Sequence, residues 1–500
     1  MELTLSFVLR YTAYSILLIY ISCLLLIFFY SLTQLNMLRY FLKYIKKKKN
    51  IPPLPKTLPK VTIQLPLFNE YYVVERLLKC ITALDYPRES LQIQVLDDST
   101  DDTLELTRKL VEDYQKKKIP IELVTREERT GFKAGALKNG LQFATGELIA
   151  LFDADFLPPS DWLYKTIPYF SDPKTGVVQT RWGHINRSHS LLTEVQAFAL
   201  DAHFVLEQIG RNQQNHFINF NGTAGIWRKS CILDAGNWEG DTLTEDLDLS
   251  YRAQLKYWKF HYLDEVVSPA ELPITLNAIR SQQFRWNKGG AENFRKMIQK
   301  VWRTKGHPFS TKINAFFHLL NSSMFLNVLV VSLLSVPLLF IKKSYPELNP
   351  IFNLSALFIL STLIFFISYW QVHKHLFGGG LGSFLKYIKR FFSFYSLAMG
   401  FSIHNSVAVI EGHLGKKSPF IRTPKFNENT DQKQLQTFKY KLDKSSYFSL
   451  LELLAALYFL FGMGAAFFVG SEGDFGLFVF HLFLFYGFAS ISYYGIKEKT

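Results

Sequence analysis

The sequence predicts an α/β domain on a doubly wound sheet, inserted between membrane-spanning helices. Three observations predict it. Charged residues are dense between about residues 40 and 310, and long apolar runs occupy both ends. Short, mostly apolar strand-like runs alternate with helical stretches from Pro55 to about Ala270. Carboxylates follow directly behind two of those runs, at the edge where open α/β sheets bind ligands.

Composition agrees with two environments in one chain. The 500 residues are 48% hydrophobic and 16% aromatic, yet 20% charged, which segregation along the chain reconciles. The net charge of +14 first suggests nucleic acid. Its distribution argues otherwise, because the run KYIKKKKN (Lys43 to Asn50) follows the first apolar run and other basic clusters also flank apolar runs. The expected partner is therefore the lipid bilayer, with no nucleic acid. Cys23, Cys80 and Cys231 are odd in number and widely separated, which excludes a disulfide framework or a cysteine metal motif.

In chain order, Tyr11 to Leu32 is an apolar run of bilayer length, too long for a signal-peptide core and without a small-residue cleavage site behind it. It predicts a membrane helix over 8–33, followed by a basic cytosolic linker over 34–54. Within 55–305 the stretches VTIQLPLF, LQIQVLDD, IELVTRE and ELIALFDAD read as buried strands, and ERLLKCITAL and TLELTRKLVEDYQKKK as intervening helices. Such spacing predicts a parallel sheet with right-handed crossovers. The region 306–500 predicts about four further spans: Met324 to Ile341, Ile351 to Trp370, Tyr447 to Val469 and Phe475 to Ile496. The apolar stretch near 391–410 has basic residues on both sides, which favours a helix in the cytosolic interface over a sixth crossing. A cytosolic loop over 411–445 follows it.

Five short stretches carry candidate chemistry. LFDADF sets Asp153 and Asp155 two apart behind a strand, where both can approach a divalent cation; a solvated turn gives the same pattern. VLDDSTDD places Asp97 and Asp98 where a carboxylate can accept from a ribose or base, while Asp101 and Asp102 fit helix capping. Lys133 opens a predicted helix behind a glycine, a combination suited to a diphosphate and equally to a solvated surface. Thr244 reads as an N-cap, so Glu245 and Asp246 fall in a first helical turn, where the helix field helps keep a carboxylate ionised; acidic enrichment at a helix start is the plain alternative. In SQQFRWNKGG, Arg285 offers a fork for phosphate, Trp286 a flat face for a sugar ring, and Gln282 an amide for either. An amphipathic helix with a Trp at the membrane interface accounts for the same residues.

Taken together the stretches resemble one family. QLPLFNE, VLDDSTDD, GFKAGALKNGL, FDADFLP, VVQTRWGHIN, FNGTAGIWR, TLTEDLDLSYRAQLKYW and SQQFRWNKGG occur in order from about Ile63 to Gly290. In that order they resemble the processive, membrane-embedded glycosyltransferases of family 2, and within them the cellulose synthase-like glucomannan mannosyltransferases and xyloglucan-backbone glucan synthases. The resemblance implies a Rossmann-like nucleotide-sugar transferase fold of type A (GT-A) on a transmembrane channel. It implies nucleotide binding by Asp97, Asp98, Lys133, Asp153 and Arg285, and Mg2+ or Mn2+ on Asp155 with Asp153. It implies Asp246 as general base beside Glu245, and acceptor contacts from Trp286, Gln282, Phe220, Asn221, Gly222 and Thr223.

The implied reaction is an inverting, metal-dependent transfer that polymerises a β-linked hexan, a mannan, glucomannan or glucan, and exports it. GDP-mannose and UDP-glucose are both open as donors, a growing polysaccharide is the acceptor, and accessory subunits or a homo-oligomer stay open. The catalytic part faces the cytosol from a bacterial plasma membrane or a Golgi membrane. The segment GKKSPFIRTPKF lies where relatives carry a gating segment over the active site. Two other readings stand beside this one: a non-processive glycolipid glycosyltransferase, and an inactive export or scaffold protein.

Overall fold

A computed structural model describes residues 2–47, 50–419, 421–423, 425, 446–469 and 473–498. Its centre is a seven-stranded sheet in the order β3-β2-β1-β4-β6-β5-β7. The four strands expected from the sequence are β1 (Val61–Leu67), β2 (Leu91–Asp97), β3 (Ile121–Val124) and β4 (Leu148–Leu151). They run parallel, with β1 registered so that Val61 pairs with Leu91 on one side and Leu148 on the other. Helices Val74–Thr82, Thr103–Lys116 and Phe132–Phe143 fill the crossovers.

Strand alternation sends successive side chains to opposite faces. Ile63, Leu65, Leu148 and Ala150 enter a core with Val74, Leu77 and Ile81 of the first crossover helix. Ile149 and Leu151 enter the opposite core with Leu137 and Leu141 of the third. Both faces of the central strands are therefore covered, and the buried polar residues on the second face of β1 and β2 pair, as where Gln64 Nε2 donates to Gln94 Oε1 at 3.0 Å.

The sheet is mixed rather than wholly parallel. Beyond β4 come β5 (Thr175–His184), β6 (Gly225–Arg228) and β7 (Lys259–Ala270), which the alternating pattern did not reveal. The short β6 runs antiparallel to both β4 and β5, while β5 and β7 are parallel. The chain between β5 and β6 forms the helix Leu191–Asp201, a wider π-helical stretch over Ala202–Gln208 and a further turn, and then re-enters the sheet from the opposite end.

Among the described residues four helices are long and apolar enough to cross a membrane: Phe7–Tyr44, Phe309–Ser344, Tyr447–Phe468 and Phe478–Lys497. A further helix, Ala356–Phe377, overlaps the expected Ile351–Trp370 run and packs on the first. Near 391–410 the chain forms two helices, Leu381–Gly400 and Ser402–Leu414, which meet at Phe401. The first lies close against Phe478–Lys497, where a Cβ on Gly487 would fall 2.0 Å from the Ser396 carbonyl oxygen. Most of the loop over 411–445 lies outside the described residues.

The 28-residue helix Leu276–Arg303 joins the two parts. Thr275 Oγ1 accepts from Ala278 N, and the Glu498 carboxylate accepts from Leu276 N and Asn277 N, so the distant chain end caps this helix. Arg280 on the helix pairs with Glu452 on Tyr447–Phe468, and both are buried. Further along, the helix packs against Ser402–Leu414 and brings Gln282, Arg285 and Trp286 over the carboxyl edge of the sheet.

Candidate active site

A cavity of about 210 Å3 opens at that edge. Each part of the fold supplies a side chain to it: Asp98 from the end of β2, Lys133 from the start of its helix, and Asp153 and Asp155 from the end of β4. Asn221 and Gly222 come from the approach to β6, Glu245 and Asp246 from the helix Glu245–Leu255, and Gln282, Arg285 and Trp286 from above. Asp97, Phe220 and Thr223 lie behind the wall. Asp97 and Asp98 are consecutive and point apart: Asp97, 2% exposed, accepts from Ser99 N. Phe220 packs in the core against Trp227 and Trp238. Thr223 Oγ1 accepts from Asp153 N at 2.8 Å and so holds the backbone of that corner.

A chain of close contacts runs through the polar side. Lys133 Nζ donates to Asp153 Oδ1 at 2.5 Å and to the Gly222 carbonyl at 2.9 Å. Burial works against the Lys133 charge, but Asp153 and Glu245 outweigh it and raise its pKa. Gly222 has φ +78°, and a Cβ there would approach Asp246 Oδ2 to 3.1 Å. Only glycine combines that left-handed backbone with the close carboxylate. Asp246 Oδ1 accepts from Leu247 N at 2.8 Å. Burial, and after it the Glu245 carboxylate, push Asp246 up to about 7; burial likewise raises Glu245. Thr244 occupies the N-cap position but makes no cap with its hydroxyl, which instead accepts from Asn293 Nδ2 of the long helix at 2.9 Å.

On the opposite wall, Asp98 is gripped by the Arg126 fork at 2.8 and 2.5 Å. Arg285 donates to Thr423 Oγ1 at 2.7 Å, and burial lowers its pKa against the pull of Glu245, Asp153 and Glu70. Thr423 belongs to a strap that descends into the cavity. Arg422 in the same strap pairs with Glu70 at 3.1 Å and donates to the Asn69 carbonyl. Lys425 Nζ reaches Asp155 Oδ2 and the Glu271 carbonyl, each at 2.7 Å.

The segment GKKSPFIRTPKF, expected over the active site, brings its described residues Arg422, Thr423 and Lys425 to the cavity, while sequence reasoning did not single out Glu70, Arg129 or Glu271, which line it too. Glu70 and Arg129 do lie inside stretches with recognisable patterns, but nothing local marks them as facing the same space. Among the described residues one three-carboxylate group has metal-like spacing, Glu239, Asp241 and Asp248. Lys296 Nζ already lies 2.7–2.8 Å from each of them, so it is an ion-pair network. At Asp155 the chemistry fits a cation better: a buried carboxylate just past a strand end holds a positive charge, the Lys425 ammonium, directly on Oδ2.

Comparison with known proteins bears on the whole arrangement. Residues 59–289 match the family model described as glycosyltransferase like family 2. The chain is 42% identical over 282 residues to a probable glucomannan 4-beta-mannosyltransferase from Oryza sativa subsp. japonica, covering 55% of this chain and 51% of that protein. Over 264 residues it is 41% identical to a glucomannan 4-beta-mannosyltransferase from Arabidopsis thaliana, covering 52% and 50%. The chain thus spans about half the length of the curated relatives it matches. A solved mannosyltransferase from Pyrobaculum calidifontis, in complex with GDP-Man and Mn2+, superposes with a TM-score of 0.54 at 20% identity, covering 80% of this chain and all of that one. That likeness is one of fold, and it is the GT-A fold expected from the sequence.

Proposed function

We propose that this chain, whose residues 59–289 form a family 2 glycosyltransferase domain, polymerises a β-linked mannan or glucomannan from GDP-mannose. One observation carries the reading: a raised carboxyl, Asp246, shares a cavity with Arg285, Lys133 and the Asp153–Asp155 corner at the carboxyl edge of the sheet. The names of the relatives, glucomannan 4-beta-mannosyltransferases, favour mannose over glucose.

In this reading the Asp246 carboxylate takes the proton from an acceptor hydroxyl. The freed oxygen attacks the anomeric carbon while the bond to the diphosphate breaks, which inverts an α-linked donor to a β-linked product. Arg285 and Lys133 stabilise the departing diphosphate. A divalent cation, Mg2+ or Mn2+, held by Asp155 with Asp153, would add Lewis-acid stabilisation of the same charge. Asp98 accepts from the nucleoside, and Asp97 holds the turn that presents it. Trp286 stacks on the acceptor sugar, Gln282 hydrogen-bonds beside it, and Asn221 and Gly222 form the acceptor wall, supported from behind by Phe220 and Thr223. Glu245 adds to burial in raising the Asp246 carboxyl.

The cavity supports a moving strap. About 210 Å3 is below the roughly 300–1,000 Å3 typical of small-ligand sites, and Arg422, Thr423 and Lys425 fill the space. A nucleotide sugar therefore enters only when the strap withdraws or re-seats. The catalytic domain faces the cytosol in this reading, with the product passing between the apolar helices.

The test uses membrane vesicles carrying the chain, fed labelled GDP-mannose or UDP-glucose with Mn2+ or Mg2+. A long product cut by β-mannanase and absent with Asp246→Asn is expected. A short, lipid-extractable product would replace polymerisation by glycolipid synthesis, and no transfer from either donor would remove the enzyme reading.

A further inference from the structure

Asn221 has a support that the reaction above does not use. Its backbone N–H donates to Gln179 Oε1 at 3.0 Å, and Gly222, the next residue, abuts Asp246. Its side-chain oxygen accepts from Asn219 Nδ2 at 2.7 Å and lies 3.0 Å from His203 Nε2. The Asn219 donor places the oxygen at that end of the amide. Its Nδ2, on the other end, is buried and has no hydrogen-bond partner among the described residues, while the residue itself forms part of the cavity wall. A buried N–H group without an acceptor is costly unless a ligand supplies one.

His203 lies in the π-helical stretch Ala202–Gln208, a geometry that recurs at functional sites. Its other nitrogen, Nδ1, faces Glu207 Oε2 at 3.1 Å. Both ring nitrogens thus face oxygen atoms. Burial alone would raise Glu207, but the Arg211 guanidinium and His203 hold it well below the ordinary carboxylate range. Glu207 also accepts from Gln34 of the first helix at 2.8 Å and from Arg211 at 3.0 Å. The ring is therefore clamped through Glu207 and directs its Nε2 at Asn221 Oδ1.

We propose that His203, braced by Glu207, is a positioning residue for the acceptor: it turns the Asn221 carbonyl away and so presents the Asn221 amide N–H to a hydroxyl of the acceptor sugar beside Asp246. This rests on the glycosyl-transfer reading above. The substrate chemistry follows from the donor set, a neutral polyhydroxyl group accepting from an uncharged amide. It concerns the acceptor and not the nucleotide.

The test compares His203→Gln and His203→Asn in purified full-length chain, using β-1,4-mannotetraose as added acceptor. Gln places an N–H where Nε2 was and keeps the bond to Asn221; Asn reaches only toward Glu207. The expected result is an acceptor KM raised about tenfold in His203→Asn and within about threefold of wild type in His203→Gln, with the GDP-mannose KM unchanged in both. Should His203→Asn elute as aggregate, Asn221→Leu carries the same expectation for the acceptor. An unchanged acceptor KM in the Asn or Leu variant of an active enzyme overturns this inference alone. So does an equal rise for donor and acceptor. Calorimetric titration of the wild type with mannotetraose separates the two levels: binding without turnover removes only the polymerase reading, and neither binding nor turnover removes both.

Discussion

Lys425 Nζ lies 2.7 Å from Asp155 Oδ2, so an ammonium group stands against the carboxylate proposed to hold a divalent cation. Their side chains are 11% and 8% exposed, so solvent weakens the pair only partly. Lysine and metal then compete for one carboxylate. Lys425→Met is expected to bind Mn2+ about 3–10-fold more tightly in the absence of nucleotide, the effect of removing one competing partly buried charge. Electron paramagnetic resonance titration of free Mn2+ reads this, and unchanged affinity would separate the strap from the metal.

Asp246 sets a pH dependence. Its carboxyl is pushed up to about 7 by burial and Glu245, so it is protonated in the free protein below that pH. A general base must be ionised, and kcat/KM is therefore expected to rise with pH through about 7. Stability runs the other way: a carboxyl whose folded pKa is raised destabilises the fold progressively between its ordinary pKa and about 7, and fully above. Asp246→Asn is expected to lose activity yet gain on the order of 1–3 kcal/mol at pH 8, with little gain at pH 4. Thermal unfolding at the two pH values, run beside the activity profile, is the check.

Gly222→Ala joins two penalties. The backbone is left-handed at φ +78°, and the new methyl group would meet Asp246 Oδ2 at 3.1 Å. A cost of about 1–2 kcal/mol in stability is expected from the dihedral alone. Displacement of Asp246 is expected to lower kcat by at least about tenfold. Retained kcat in a destabilised variant would show that Asp246 tolerates the shift.

Arg280 and Glu452 form a buried ion pair between the long helix and a membrane helix, with side chains 4% and 0% exposed. Removing one partner strands a charge, so Arg280→Met is expected to destabilise by about 3–5 kcal/mol. The double variant Arg280→Met with Glu452→Met is expected to recover most of that loss. Thermal stability in detergent measures both, and a double variant as poor as the single would locate the pair's role in orientation of the helix.

Local patterns carried a large part of this molecule. Strands β1 to β4 were legible because apolar residues recur in short runs between turn-forming stretches, at every second position in β1 and β2 and continuously in β4. Asp153, Asp155, Glu245 and Asp246 were legible as groups because strand ends and helix starts are read from neighbours in sequence. Asp97 and Asp98 looked alike as a pair, yet alternation at the end of β2 sends one inward to Ser99 and the other to Arg126 and the cavity.

The sequence by itself determined an α/β domain between apolar helices and the stretches that meet at its edge, since apolar period, charge segregation and helix-start chemistry are all short-range properties. Tertiary structure alone decided the antiparallel entry of β6, the clamp from Gln34 through Glu207 and His203 to Asn221, and which partners Arg422, Thr423 and Lys425 of the expected overlying segment meet, some 138 to 354 positions away. Those contacts depend on how separate elements pack, and a hydrogen bond or ion pair across such distances leaves no periodic trace in the chain.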